Sequence, residues 1–180
     1  MTTMDIIRRT KAAWRSIHTM TAEDKSRLLQ SMAESLQRHT DEILRCNALD
    51  MDAARGKISD VMLDRLRLDA ARIDAMADGV RAVAQLPDHT GRILSEVQRP
   101  NGMTIYKKQV PLGLVAIIYE SRPNVTADAA ALAIKSGNVC VLRSGRDAIR
   151  SAKAITAALK EGITAAGGDA DILNILEDTS

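Results

Sequence analysis

Two short polar segments have residue types that could do chemistry, and each directly follows an apolar run. The segment YESRPN covers residues 119–124, and the segment RSGR covers residues 143–146. In a parallel α/β sheet, ligands bind beyond the carboxyl ends of the strands. If the apolar runs are parallel strands, each segment is either part of a ligand site or an ordinary turn from a strand into a helix.

The segment RSGR has the chemistry of an anion site. A short Ser-Gly turn before a helix can offer free backbone N–H groups, and the flanking Arg143 and Arg146 add positive charge, which suits a phosphate. A plain turn without a ligand is the alternative. The chain contains neither a GxGxxG fingerprint nor a GxxxxGK[ST] P-loop, so the usual nucleotide-binding motifs are absent.

The elements that must position these segments are predicted as alternating strands and helices from residue 111 onwards. The predicted strands are 114–119, 139–143 and 171–176, and the predicted helices are 124–136 and 147–162. The run 114–119 is apolar throughout, as expected of a strand that is covered on both faces. This βαβαβ order builds a parallel sheet with right-handed crossovers, so the predicted fold class is α/β.

Residues 1–90 are predicted to be helical, because apolar residues recur there at helical spacing. The residues predicted to cap four of these helices are Thr21, Thr40, Ser59 and Asp69. The residues predicted to face inward on the third helix are Ile43, Leu44, Ala48 and Met51. These apolar stripes indicate helix packing rather than a ligand site.

Residues 91–110 are predicted to form a β-hairpin between the helices and the α/β unit. Its strands are predicted at Arg92–Arg99 and Met103–Val110, and the Asn101-Gly102 pair between them indicates a type I′ turn. Charged side chains on both strands favour a strand pair that projects into solvent or meets another subunit. A simple edge hairpin is the alternative.

Composition and charge argue against several classes of function. The 180 residues carry a net charge of +2 with both signs interspersed and only 2% aromatic residues, so no nucleic-acid partner is expected. No apolar run approaches the length of a membrane span and no secretion signal is visible, so no membrane partner is expected. Cys46 and Cys140 form no CxxC motif, which indicates a reducing, cytoplasmic location, and no metal site is predicted.

The stretch VPLGLVAIIYESRPNVTADAAALAIKSGNVCVLRSG resembles the gamma-glutamyl phosphate reductases, a branch of the aldehyde dehydrogenase superfamily that acts in proline biosynthesis. The motifs YESRPNVT, AALAIKSGN and LRSG match that family almost residue for residue. The resemblance extends back through GRILSEVQRPNGMTIYKKQVPLG and the helices before it. It also implies that the family's sequence continues beyond ILEDTS, so that this chain is well under half of a family member.

The resemblance implies an aldehyde dehydrogenase-like α/β fold with three parts. Residues 1–90 would be a helical lead-in, residues 91–110 a hairpin of the oligomerisation type, and residues 111–180 the first half of a Rossmann-like domain that binds NADP(H). The parallel sheet would therefore be incomplete in this chain.

The resemblance implies reduction of L-glutamyl 5-phosphate to L-glutamate 5-semialdehyde with NADPH, through a cysteine thioester. In the family the nucleophilic cysteine lies in a later domain, beyond this chain. Neither Cys46 on a predicted helix nor Cys140 in a predicted buried strand has that context, and both are predicted to be core or near-core packing residues. Residues 1–180 alone are therefore predicted to be inactive.

By resemblance, Asn124 donates from its side-chain amide to the oxyanion of the reaction, while Pro123 sets the turn before it. Asn124 could instead cap the following helix, and that role is compatible with the first. Tyr119 and Glu120 are implied to lie along the nicotinamide side of the cofactor. Arg122 is predicted either to meet the substrate phosphate or to pair with Glu120.

The loop Arg143, Ser144, Gly145 and Arg146 is implied to hold the adenosine ribose of NADP(H) and its 2′-phosphate, because it contains no carboxylate before Asp147. A solvated Arg146 without a ligand is the alternative. The implied partners are the substrate L-glutamyl 5-phosphate, further subunits of a homo-oligomer, and a glutamate 5-kinase.

Two other functions stay open. The chain could belong to another superfamily member that oxidises a free aldehyde, although the YESRPN and LRSG matches favour the reductase. It could also be a short non-catalytic module for oligomerisation or nucleotide binding. A sheet that stops after its third strand argues against the module.

Overall fold

The computed structural model describes residues 2–178 and has seven α-helices and five strands within them. The helices are α1 Thr3–His18, α2 Ala22–Arg38, α3 Thr40–Ala54, α4 Asp60–Leu66, α5 Ala70–Gln85, α6 Pro123–Lys135 and α7 Ile149–Ala165. The strands are β1 Ile93–Gln98, β2 Thr104–Lys108, β3 Leu114–Ile118, β4 Val139–Arg143 and β5 Leu173–Ile175. The predicted order of helices, hairpin and βαβαβ unit is confirmed. None of the described helices is both long and apolar enough to cross a bilayer.

Three of the four predicted helix caps are confirmed. Thr21 and Asp24 form a reciprocal capping box, in which the Asp24 amide donates to the Thr21 hydroxyl at 3.1 Å and the Thr21 amide donates to the Asp24 carboxylate at 3.0 Å. The side chain of Ser59 accepts from the first turn of α4, and that of Asp69 accepts from the first turn of α5. Local sequence therefore determines where α2, α4 and α5 begin.

The prediction that Thr40 caps the third helix is wrong. Thr40 is already the first residue of α3, and His39, which precedes it, makes no capping bond with its side chain. Because α3 follows α2 without a linker, the Thr40 hydroxyl donates back to the Gln37 carbonyl at 2.9 Å. It satisfies a carbonyl at the end of α2 instead of an amide at the start of α3.

The predicted inward face of α3 is only partly correct. Ile43 is fully buried, but Ala48 is exposed, and the other buried residues of the helix are Asn47, Asp50 and Ala54. Two polar side chains thus occupy core positions that apolar patterning does not identify. The hydrogen bonds of both side chains reach Ser151 and so determine the position of α7.

The hairpin of β1 and β2 has a three-residue loop, so the prediction of a type I′ turn is wrong. The strand ladder closes where the Arg99 amide donates to the Met103 carbonyl at 2.9 Å. Gly102 has φ +83, whereas Asn101 does not have a positive φ, as a type I′ turn would require. Pro100 explains the difference, because it has no N–H with which to pair across a two-residue turn.

Strands β3, β4 and β5 form a parallel sheet in that order. Strand β4 lies in the middle and is almost entirely buried. The prediction that residues 114–119 are covered on both faces is wrong for the described part of the chain, since Ala116 is exposed and Ile118 is 71% exposed. The reason is that β3 is an outer strand of this sheet, and one of its faces meets no covering element within residues 2–178.

One hydrophobic core joins the N-terminal helices to the parallel sheet. It extends from Ala13 in α1 to Leu173 in β5, and α2 packs against α5, α6 and α7. Helices α2 and α7 approach so closely that a Cβ atom on Gly162 would lie 2.6 Å from the Cα atom of Met32. Only glycine permits this approach, and the Ser31 hydroxyl donates to the Gly162 carbonyl at 2.8 Å.

Two buried lysines meet beside Asp88 where α2, α5 and α6 converge. Lys25 is 2% exposed and forms an ion pair with Asp88, while Lys135 donates to the Ala84 carbonyl at 2.7 Å. Burial alone would raise the pKa of Asp88, but hydrogen bonds from Lys25 and Thr90 outweigh it and the net pKa is lowered. Burial lowers the pKa of Lys135.

Candidate functional site

The two polar segments predicted from the sequence lie side by side in the structure. The parallel ladder continues one step beyond β3, because the Tyr119 amide donates to the Arg143 carbonyl at 3.1 Å. A Cβ atom on Gly145 would lie 2.5 Å from the hydroxyl oxygen of Ser121 and 3.0 Å from its amide nitrogen. A side chain at position 145 would therefore require the two segments to shift apart, and glycine permits their close approach.

Tyr119 attaches the end of β3 to α6. Its hydroxyl lies 2.7 Å from the hydroxyl of Thr126, which is fully buried. Burial raises the pKa of Tyr119 to about 12, so the phenol remains protonated at neutral pH. Glu120 is exposed beside it. The structure therefore gives Tyr119 an anchoring contact, and the implied nicotinamide-side role of Tyr119 and Glu120 stays a prediction.

Arg122 does not pair with Glu120, so that alternative is wrong. The two residues are joined only through the backbone, where the Arg122 amide donates to the Glu120 carbonyl at 2.7 Å. No ion pair connects their side chains within residues 2–178. Arg122 is exposed at the entry to α6, and its guanidinium remains available to an anion.

Asn124 is the second residue of α6, so the alternative that it caps the helix is wrong. Pro123 takes the first helical position, where its fixed φ and missing N–H are tolerated, and Arg122 becomes the cap residue. The Asn124 side chain is exposed, and its Nδ2 donates to the Asp128 carboxylate at 3.4 Å. This single long bond leaves the amide free to donate elsewhere, and its oxyanion role stays a prediction.

A cavity of about 500 Å³ lies beside Asn124. Its charged and polar lining consists of Asp64, Arg65, Arg67, Arg72, Arg122, Asn124 and Asp128, and its apolar lining of Leu68, Ala75 and Met76. Of the six charged residues, only Arg122 was a predicted candidate. The other five were missed, because charged residues at such positions in a sequence are normally exposed to solvent. Four of the five come from α4, α5 and the link between them.

The second polar segment, at the end of β4, has one cationic side chain that faces solvent, that of Arg146. The Arg143 side chain is directed towards the chain beyond β5, where its Nε donates to the Asp178 carbonyl at 3.3 Å. Ser144 is buried, and its hydroxyl donates to the Gly145 carbonyl at 3.1 Å. Arg146 is exposed and begins a single 3-10 turn before α7. Of the four predicted cofactor ligands in this loop, Arg146 is thus the cation that faces solvent.

A cavity of about 560 Å³ adjoins Arg146 and contains more positive than negative side chains. Its charged lining residues are Lys57, Arg146, Asp147, Arg150, Lys153 and Glu177. Lys153 is paired with Glu177 at 2.7 Å, and Arg150 with Asp50 at 3.3 Å. Lys57 and Arg146 have no ion pair in the described part of the chain, so they can attract an anion.

The predicted supply of free helix amides behind RSGR needs correction. The buried carboxylate of Asp50 accepts from the Ser151 amide and the Ser151 hydroxyl at 2.7 Å each, and from the Arg150 amide at 3.4 Å. Two amides in the first turn of α7 are therefore already used. Positive side chains rather than these amides remain for a phosphate.

Asn47 completes the network that Asp50 begins. Its amide nitrogen donates to the Leu66 carbonyl at 2.9 Å and to the Ser151 hydroxyl at 3.0 Å, while its oxygen accepts from the Leu68 amide at 2.8 Å. Helix α3 thus holds both the start of α7, beside one cavity, and the end of α4, beside the other. Spacing offered a signal, because residues 43, 47, 50 and 54 share one helical face.

Neither cysteine has the environment of a nucleophile. Cys140 is fully buried in β4, and burial raises its pKa to about 12. Burial, followed by the hydrogen bond to Glu42 at 3.5 Å, raises the pKa of Cys46 on α3. Both thiols therefore remain protonated at neutral pH. Cys140 packs in the core as predicted, and Cys46 is half-buried.

Comparisons with known proteins agree on one superfamily. The gamma-glutamyl phosphate reductase of Neisseria gonorrhoeae is 56% identical over 169 residues, and that of Streptococcus pneumoniae is 54% identical over 170 residues. Each match covers 94% of this chain and 40% of the relative, so the chain spans about 40% of the length of these curated relatives.

Solved structures give the same result. A gamma-glutamyl phosphate reductase from Thermotoga maritima superposes with a TM-score of 0.95 at 34% identity, over 98% of this chain and 43% of that one. A probable aldehyde dehydrogenase from Listeria monocytogenes shares the fold, with a TM-score of 0.73 at 12% identity over 98% of this chain and 36% of that one. The sequence profile described as "Aldehyde dehydrogenase family" matches residues 2–180. With its sequence and its fold in agreement over almost its whole length, the chain belongs to the aldehyde dehydrogenase family.

Proposed function

We propose that the whole gene product reduces L-glutamyl 5-phosphate to L-glutamate 5-semialdehyde with NADPH, and that this chain provides part of both ligand sites. The observation that carries the proposal is the 54–56% identity to proteins named gamma-glutamyl phosphate reductase over 94% of the chain. The chain contains one strand end beside each of the two cavities.

The reaction divides into two steps in which charge develops on one oxygen. A cysteine thiolate attacks the acyl carbon and forms a bond to it. The bond between that carbon and the phosphate oxygen breaks, so inorganic phosphate departs and the acyl group remains on the cysteine as a thioester. Bound NADPH would supply the hydride that releases the aldehyde and regenerates the thiolate. The Asn124 amide can donate to the acyl oxygen when it becomes negative in either step. Neither Cys46 nor Cys140 is proposed as the nucleophile, because Cys140 is fully buried and burial raises the pKa of both thiols.

The donor set at the end of β4 fits the 2′-phosphate of NADPH. Lys57 and Arg146 are unpaired cations beside the same cavity, within residues 2–178. A guanidinium can bind a phosphate through two parallel hydrogen bonds, and an ammonium adds a point charge. Asp147 and Glu177 also line this cavity, and Glu177 is neutralised by Lys153. The cavity therefore remains net positive.

The hairpin of β1 and β2 is proposed to contact another subunit of a homo-oligomer. Every residue of β1 is exposed, and the large apolar side chains Leu94, Val97, Ile105 and Tyr106 are among those exposed on the two strands. An apolar surface of this kind is typical of an interface. Light scattering on the whole gene product should detect a dimer or a larger species, and a clean monomer would count against this role. A kinase that forms the acyl phosphate is proposed as a further partner.

The test of the proposed activity uses the whole gene product in the reverse direction. Oxidation of glutamate semialdehyde with NADP⁺ should require inorganic phosphate and should yield the acyl phosphate. Asn124→Ala, which removes the amide, should lower kcat by about 10²–10³-fold, and Asn124→Asp, which keeps the size but not the donor, should do the same. Oxidation that proceeds equally well without phosphate would instead support a dehydrogenase acting on free aldehydes.

A further inference from the structure

The cavity beside Asn124 has an unusual arrangement of charges. It is lined by the end of α4, the link from α4 to α5, the first two turns of α5 and the first turns of α6. Four arginines and two aspartates line it, which gives the lining a net positive charge. Some of these charged side chains already form hydrogen bonds or ion pairs with other groups of the protein, and others do not. The side chains without such partners are the ones that can hold a ligand.

Arg72 is a structural cation. Its guanidinium donates to the Arg67 carbonyl at 2.6 Å, to the Asp64 carbonyl at 2.5 Å and to the Asp64 carboxylate at 3.1 Å. It therefore closes the link between α4 and α5 and neutralises Asp64. The side chain of Arg67 also lies 3.5 Å from the Asp64 carboxylate. These three residues form the wall of the cavity.

Arg65 and Arg122 are different, because neither has an ion pair in the part of the chain that the structure describes. They come from separate elements, the last turn of α4 and the entry to α6, yet they line the same cavity. Two unpaired guanidiniums around one cavity can bind a carboxylate or a phosphoryl group through parallel hydrogen bonds.

Asp128 supplies the opposite charge. It is half-buried between α5 and α6, where a Cβ atom on Gly79 would already lie 3.6 Å from its oxygen. Its hydrogen bond comes from the neutral amide of Asn124 at 3.4 Å, and no cation lies within ion-pair distance of it among residues 2–178. Burial raises the pKa of Asp128, as expected of a carboxylate without a cation. A bound ammonium would supply that cation.

We propose that this cavity recognises the amino-acid end of the substrate, with Asp128 accepting hydrogen bonds from an α-ammonium group and with Arg65 and Arg122 binding the α-carboxylate. The Asn124 side chain contacts Asp128 and would also donate to the acyl oxygen. In this arrangement Asn124 lies between the charged groups of the cavity and the reacting carbon of the substrate. The inference rests on the proposed function, since it takes the substrate to be an acyl derivative of an α-amino acid.

Substrate selectivity provides the kinetic test in the whole gene product. Wild type should use glutamate semialdehyde with a higher kcat/KM than 5-oxopentanoate, which has the same chain and carboxylate but no amine. Asp128→Asn should reduce that ratio by about ten- to a hundredfold, since a hydrogen bond to a charged group contributes roughly that factor. A general loss of folding or catalysis would lower both values of kcat/KM and leave their ratio unchanged, which would overturn the role of Asp128.

The variants Arg65→Gln and Arg122→Gln test whether these two arginines bind the α-carboxylate of the substrate. Each should raise the KM for the semialdehyde by about ten- to a hundredfold and leave the KM values for phosphate and NADP⁺ unchanged. If the KM for inorganic phosphate rises instead, the guanidiniums bind the phosphoryl group and the carboxylate assignment is wrong. Arg55→Gln and Asp52→Asn are matched controls, because both side chains are exposed, pair with each other at 3.8 Å and lie outside this cavity.

A binding measurement separates this inference from the proposed reaction. Titration calorimetry with L-glutamate and with glutarate compares two dicarboxylates that differ by the α-ammonium group. The protein should bind L-glutamate more tightly, and Asp128→Asn should remove the preference. Absence of that preference in wild type would overturn the cavity assignment even if phosphate-dependent turnover is present. Binding with the preference but without turnover would leave the assignment intact and overturn only the proposed reaction.

Discussion

Asp50→Ala should destabilise this chain strongly, although Asp50 lies on a helix that carries no proposed catalytic group. The Asp50 carboxylate is 1% exposed and accepts from both the amide and the hydroxyl of Ser151 at 2.7 Å. Truncation to alanine removes both acceptor oxygens at once and leaves the amide of Ser151, which is fully buried, without its partner.

The magnitude follows from the groups that lose a partner. A buried amide left without an acceptor costs about 1–3 kcal/mol. The Ser151 hydroxyl still accepts from Asn47 at 3.0 Å, so the loss of its donor bond adds only about 1 kcal/mol. Arg150 is half-exposed and adds little. The expected decrease in the free energy of unfolding is about 2–4 kcal/mol, or a decrease in Tm of about 5–15 °C for a chain of this size.

Urea unfolding followed by circular dichroism measures this difference directly. Asp50→Asn keeps one acceptor oxygen and should cost about half as much as the alanine variant. Asp52→Ala is the matched control, since Asp52 lies two residues further along the same helix and is 70% exposed; it should change stability by less than about 0.5 kcal/mol. If Asp50→Ala destabilises no more than Asp52→Ala does, the buried network does not hold α7 as described.

Three further predictions concern catalysis, cofactor choice and pH. Purified residues 1–180 should show no reductase activity in either direction, because Cys46 and Cys140 both keep their protons. In the whole gene product, Arg146→Glu should reduce the ratio of kcat/KM for NADPH over NADH by about ten- to a hundredfold, since it would replace the proposed charged hydrogen bond to the 2′-phosphate by repulsion. Because the pKa of Asp88 is lowered, its carboxylate stabilises the fold at a pH above its unfolded pKa of about 3.9. This stabilisation is lost as the pH falls through the lower pKa of the folded state. Unfolding by urea between about pH 5 and pH 2 should therefore show a loss of stability on acidification that is smaller in Asp88→Asn.

Each of these has an outcome that contradicts it. Turnover by residues 1–180 that disappears in a Cys46→Ser or Cys140→Ser variant would make that thiol a nucleophile. A cofactor ratio that changes equally in Arg55→Glu, whose side chain lies outside the cavity beside Arg146, would reflect net charge rather than a 2′-phosphate contact. An acid slope that is identical with and without the Asp88 carboxylate would assign the pH dependence to other groups.

Periodicity and short turn motifs predicted the order and type of the elements, because these depend on neighbours along the chain. The caps at Thr21, Ser59 and Asp69 are of this local kind. The turn around Asn101 was predicted wrongly because Pro100, one residue earlier, removes a ladder donor. The exposure of β3 was predicted wrongly because an apolar run reports what a strand can bury and not which elements cover it.

The site residues divide along the same line. The topology rule for parallel sheets predicted that ligands bind at the ends of β3 and β4. In the structure these two strand ends do lie side by side. Asn47 and Asp50 were missed because a polar residue on an amphipathic helix is normally solvated, and only the partner helix shows that both are buried. Arg65 and Asp128 come from segments 63 residues apart in sequence and meet only at the cavity, so no spacing rule joins them.

The close approach of Gly145 to Ser121 has a consequence for engineering. One way to change cofactor preference would be to replace the proposed cofactor loop after β4, residues 143–146, as an independent cassette. Here that cassette has no room for any side chain at its third position, since the hydroxyl of Ser121 occupies the space. A grafted loop with alanine at position 145 would displace the segment that carries Asn124. The proposed cofactor loop and the position of Asn124 are therefore coupled, and Ser121→Gly would remove the 2.5 Å contact with the hydroxyl but not the 3.0 Å contact with the amide nitrogen of residue 121.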